Sequence, residues 1–256
     1  MFTMKKIILL IFLVICIAAM GVFGYLIFNE LSIDSQSRSF YSNMTARIER
    51  RPNSHRGTNT NDTDKINEWV PYVDFETVNE TYPGTVGWII LGDTPINYPV
   101  MQYTDNDHFL NHLPDGTPHR NGSIFLDYRN SPDFSDKSIL IYGHETRAGD
   151  MFGALKNYRH QEFLIENPVI DLHTPKRDYV IEVFAGHIAH SFRDHPPFHF
   201  ADDDEFMKYI ENLYKVSIFE SGIEVTANDR IVSLVTCAYD FNEARLIIVG
   251  ILKPDR

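Results

Sequence analysis

Cysteine is almost absent from this chain. Only two occur in 256 residues, Cys16 and Cys237. Cys16 lies in an apolar run near the N-terminus and Cys237 lies near the other end, so no internal disulfide is available. Exported proteins usually pair their cysteines. An unpaired Cys237 is therefore either a small buried hydrophobe or a reactive thiol. Positive charge is also scarce: 23 Lys and Arg face 35 Asp and Glu, a net charge of −12. Phosphate backbones need a basic face, so this balance argues against nucleic acid as a partner.

Long apolar runs are missing from all but one place. Ile7 to Phe28 carries no charged residue. At about 1.5 Å per residue it can cross a hydrocarbon core of about 30 Å. A cleavable signal would have a shorter apolar region ending in small residues. This run ends in Leu-Ile-Phe, so it reads as an uncleaved anchor. Lys5 and Lys6 precede it, which leaves residues 1–6 in the cytoplasm and everything after the span outside. Residues 29–65 read as a polar stalk and a linker, the latter being Pro52 to Asp64, rich in Asn, Thr and Ser. A folded domain is expected over 66–256.

Within that domain, short apolar runs bounded by turn residues dominate. Residues 85–91, 96–102, 122–127, 137–144, 179–190, 230–237 and 244–252 all read as strands. Helical spacing is confined to 151–167 and 202–217. The second begins with an acidic turn and then places Phe206, Ile210, Leu213 and Tyr214 on one face. Many short strands with few helices point to a closed or nearly closed β-barrel.

Three residues stand out for chemistry. Cys237 ends one strand and Arg245 opens the next, so a hairpin sets them side by side. A fixed cation there favours the thiolate and can hold an oxyanion. His144 ends another strand, where a rigid backbone can present a proton-transfer group at a site mouth. His187, His190, His195 and His199 form a rival cluster. Their spacing argues against zinc: His187 and His190 are three apart on a strand and face opposite sides, and no cysteine joins them. No cofactor is called for. The loop from His190 to Phe200, rich in Pro and aromatic residues, is expected to form part of a groove wall through Phe198.

The segments "GWIILGDTPINYPVMQYTDNDHFLNHLPDGTPHRNGSIFLDYRN", "ILIYGHETRAGDMFGAL" and "LVTCAYDFNEARLIIVG" occur in this order. Together they resemble the sortase family, in its class B form, over about residues 66–253. That resemblance implies an eight-stranded barrel with peripheral helices, anchored in the membrane of a Gram-positive cell. It implies a cysteine transpeptidase that cuts the C-terminal sorting signal of surface proteins. The acyl group would pass to an amine on peptidoglycan, on its lipid-linked precursor, or on a pilin lysine. It also implies Cys237 as nucleophile, His144 as acid/base and Arg245 as oxyanion clamp, with Asn106, Leu110 and Thr236 lining the peptide groove. Class B members often have Ser-Thr-Cys where this chain has Val235-Thr236-Cys237. The motifs leave two other readings open: a cysteine endopeptidase that releases product to water, and a catalytically silent binding module.

Overall fold

The computed structural model describes residues 4–45, 49–52, 69–146, 148–191, 193–238 and 240–255. The chain divides into two compact units, one ending at Ser42 and the other starting at Asn43. The first is built from helix α1, Met4–Thr45, which is 42 residues long. The apolar span and the start of the polar stalk are thus one continuous helix. Its large apolar side chains from Leu9 to Leu31 are exposed. By length and composition this helix can cross a membrane. Of the expected linker, only Pro52 lies among the described residues, as does nothing of Ile66.

The second unit starts upstream of residue 66. A two-stranded ribbon pairs β1 (Glu49–Pro52) antiparallel with β2 (Trp69–Tyr72). A short helix follows, α2 (Phe75–Thr81), whose N-cap Asp74 accepts from the Thr77 amide at 3.3 Å. The barrel strands are β3 (Thr85–Ile90), β4 (Asn97–Met101), β5 (Ile124–Leu126), β6 (Ser138–Tyr142), β7 (Val169–His173), β8 (Asp178–His190), β9 (Ile231–Cys237) and β10 (Ala244–Pro254). They close in the order β10-β8-β7-β3-β4-β5-β6-β9. Pairs β4–β5 and β6–β9 are parallel; the other barrel pairs are antiparallel. Closure removes exposed strand edges and buries an inner layer that includes Trp88, Ile139, Ile141, Leu234 and Ile248. β7 is the strand that apolar runs do not reveal. Its sequence, VIDLH, mixes Asp171 and His173 with apolar residues and follows a helical pattern.

That helical pattern, expected over 151–167, is two pieces. A 3-10 helix, Phe152–Arg159, is separated from α3, Gln161–Glu166, by His160 in extended backbone. Helix α4 spans Asp203–Val216, and Asp202 caps it by accepting from the Glu205 amide at 2.8 Å. Phe206, Ile210 and Leu213 are buried, while Tyr214 sits at the edge of the stripe. They form one cluster with Phe184, Ile231, Val235, Ile247, Val249 and Ile251. Fully burying each large side chain of this kind contributes about 1.5–3 kcal/mol. This contact fixes α4 on the outer face of β8, β9 and β10 and leaves the upper end of those strands open.

Candidate active site

Strand β9 runs between β6 and β10, and each neighbour contributes one polar group beside Cys237. On one side Arg245 pairs directly with Cys237 in the antiparallel register. Side chains at such a pair stand on the same face, with Cβ atoms about 4.5–5.5 Å apart. On the other side β6 and β9 are parallel, with Tyr142 level with Val235. The Gly143 amide extends that ladder, donating to the Val235 carbonyl at 3.1 Å. Cys237 and Arg245 thus stand side by side on β9 and β10, and His144 follows two residues past the end of β6, the strand on the other flank of β9.

Local sequence explains why these positions are rigid. A Cβ on Gly143 would come within 2.3 Å of Ile124 Cδ1 and 2.7 Å of Phe152 Cδ2, so only glycine lets the chain pass here. The His144 carbonyl then accepts from the Phe152 amide at 2.9 Å, which starts the 3-10 helix. The His144 imidazole lies 2.8 Å, through Nε2, from the Leu110 carbonyl. A carbonyl only accepts, so Nε2 carries hydrogen and Nδ1 is the nitrogen left for proton exchange in the neutral ring. Beyond Cys237 the hairpin closes with the Ala238 amide on the Ala244 carbonyl at 3.0 Å. Glu243, at φ 63°, turns the chain into β10. The hairpin tip is clamped from the side by Arg159, whose guanidinium binds both Asp240 oxygens at 2.9 and 2.6 Å.

Cys237 is half-buried and carries a free thiol. Arg245 is half-exposed. Its Nη1 donates to the Ala244 carbonyl at 3.0 Å and its Nη2 lies 3.6 Å from Glu243. Those two contacts leave further N–H donors of the fork for a ligand.

Below His144 lies a polar network that the sequence does not announce. The Asp127 side chain is fully buried at the end of β5. Its oxygens accept from Arg129 Nε at 2.8 Å, Arg129 Nη2 at 2.7 Å, Asn106 Nδ2 at 3.1 Å and the Tyr142 hydroxyl at 3.0 Å. Burial opposes its ionisation, but these bonds outweigh burial and hold its pKa at about 2. Burial and the Asp127 charge push Tyr142 well above the ordinary phenol range. Tyr142 also bonds His195 Nε2 at 3.0 Å.

The expected groove residues fall as follows. Leu110 supplies the carbonyl that holds His144 and packs its side chain against Met101, Phe109 and Phe125. Asn106 bonds Asp127 through Nδ2 and accepts from the Tyr128 amide through Oδ1 at 3.0 Å. Phe198 is exposed, with the Arg129 guanidinium 4.3 Å from its ring centre. Thr236 requires a correction. It is 2 % exposed, its hydroxyl finds no partner among the described residues, and alternation along β9 points it away from Cys237. Its side chain supports the strand from inside the barrel and does not line the groove.

A sequence model described as "Sortase domain" matches residues 91–253. Sortase B of Listeria monocytogenes is 35% identical over 167 residues, covering 64% of this chain and 68% of that protein. Sortase B of Staphylococcus aureus is 28% identical over 231 residues, covering 90% of each. The solved Staphylococcus aureus sortase B–substrate complex superposes with a TM-score of 0.68 at 29% identity, covering 71% of this chain and 85% of that one. The barrel and these likenesses agree: the chain belongs to the sortase family of cysteine transpeptidases, in its class B branch.

Proposed function

We propose that Cys237, His144 and Arg245 together carry a transpeptidation on the C-terminal sorting signal of surface proteins. What supports this reading is the direct pairing of Cys237 with Arg245 across β9 and β10, with His144 just past the end of the neighbouring β6. In the first half-reaction the thiolate attacks the scissile carbonyl carbon, forming a C–S bond. Arg245 donates to the carbonyl oxygen as it becomes an oxyanion. The C–N bond then breaks, and His144 Nδ1 gives its proton to the leaving amine. In the second half-reaction an acceptor amine attacks the thioester, His144 takes a proton from that nitrogen, and the thiolate leaves.

Asn106, Leu110 and Phe198 are the residues proposed to line the peptide groove. Asn106 and Leu110 come from the 103–112 loop and Phe198 from the 191–202 loop. The proposed acceptor is an amine of peptidoglycan, of its lipid-linked precursor, or of a pilin. The proposed organisation is residues 7–28 in the membrane, residues 1–6 inside, a stalk and linker over 29–65, and the catalytic domain outside. Helix α1 supports the anchor by its length and composition.

The test is a peptide-library assay on the full chain in detergent micelles, with glycine-type and diaminopimelate-type amines supplied. Amide products formed at a threonine support the proposal. Acid products alone, at every amine concentration, identify a hydrolase and overturn it.

A further inference from the structure

Asp127 is an odd residue to bury. A carboxylate taken out of water costs several kcal/mol before its partners compensate, and apolar side chains of like volume usually stabilise as well or better. Its amide donates to the Leu140 carbonyl at 2.9 Å, its carbonyl accepts from Gln102 Nε2 at 3.0 Å, and its carboxylate accepts from the Arg129 amide at 3.0 Å. The carboxylate thus holds its own turn, and its bonds to Asn106 and Tyr142 reach beyond it.

Its partners connect it to two loops. Asn106 belongs to the loop over 103–112, the same loop whose Leu110 carbonyl holds His144. Tyr142 and Arg129 connect it to the second. The Tyr142 hydroxyl, bonded to Asp127, meets His195 Nε2 at 3.0 Å. Arg129, forked on Asp127, offers its guanidinium face to Phe198 at 4.3 Å. A third tie, Ser138 Oγ to the Pro197 carbonyl at 2.5 Å, pins the same segment to β6. Both loops thus end on one carboxylate.

We propose that Asp127 is a positioning residue that sets the spacing of the two groove walls, one through Asn106 and one through Tyr142 and Arg129. The inference rests on the transpeptidase reading, because a groove needs a peptide. Asp127 touches no reacting atom. It acts through the loops, so its removal degrades peptide binding more than the chemical step.

The experiment uses the full chain in micelles and two variants, Asp127→Asn and Tyr142→Phe. Each is measured by hydrogen exchange over 103–112 and 191–202, and by KM and kcat on a cleaved peptide. Asp127→Asn is expected to speed exchange in both segments together and to raise KM about tenfold, with kcat within about threefold. Tyr142→Phe, which removes one hydroxyl, is expected to speed exchange only in 191–202. A folded Asp127→Asn protein whose two loops exchange as in the wild type overturns the inference, as does a loss confined to kcat. If Asp127→Asn does not fold, Tyr142→Phe decides: unchanged exchange in 191–202 overturns it. A wild-type chain that cleaves no peptide sinks the transpeptidase reading instead, and the exchange data still decide whether Asp127 couples the loops.

Discussion

Two neighbouring rows of the same sheet meet opposite fates. The upper row is Cys237, Arg245 and Ala189; the lower is Tyr142, Val235, Ile247 and His187. They lie two positions apart along each shared strand, on the same face. The lower row lies in the cluster beneath α4, with Val235 and Ile247 buried and His187 held below its ordinary pKa by burial. In the upper row Ala189 is buried in the same cluster, but the thiol and the guanidinium are half-exposed. The barrel supplies the same backbone to both rows, and the difference in cover at Cys237 and Arg245 leaves a thiol and a cation within reach of a ligand.

That contrast can be broken from below. Phe206→Ala empties the contact that seats α4 and is expected to cost about 3–5 kcal/mol of stability in chemical denaturation. Alkylation of Cys237 in the native protein should change little, because the thiol of the upper row does not depend on that cover. It can be sharpened from above. Arg245→Ala removes an oxyanion donor and is expected to lower kcat by about 10²–10³-fold, with stability nearly unchanged, as read by steady-state kinetics beside a melting curve.

Acid sharpens the comparison in another way. The folded pKa of Asp127 is about 2, below its ordinary value, so its contribution is present above about pH 4 and is lost as pH falls through 2. The shift corresponds to about 2 kcal/mol. Asp127→Asn should flatten the fall in stability between pH 4 and 2. The smallest effect expected is at the rim. Phe198→Ala gives up an exposed ring and its contact with Arg129, and should raise KM severalfold with kcat unchanged.

The site was more legible in the sequence than the walls around it. Cys237 and Arg245 are eight residues apart on a hairpin, and the apolar runs that flank them mark both strands. His144 is readable as a strand end, but its place beside β9 depends on the parallel pairing of β6 and β9, which no local pattern reveals. Asp127, Tyr142 and His195 are spread over 69 positions and meet only because the barrel closes. The inward turn of Thr236 was available from alternation alone, since it adjoins Cys237. The split of the 151–167 helix at His160 was not, because no glycine or proline punctuates the run there. α2 had a signal, Asp74 followed three residues later by Thr77, too short to stand out against the strands.

The central claim is that the thiol of the upper row forms the acyl-enzyme with His144 and Arg245 beside it. Intact-mass and peptide-mapping measurement of the full chain, incubated with a cleaved peptide and no amine, tests it most directly. The account predicts an acyl adduct on Cys237 in the wild type, a strongly reduced adduct in Arg245→Ala, and none in Cys237→Ala. Turnover in the Cys237→Ala protein, or an adduct that maps to any other residue, would contradict it.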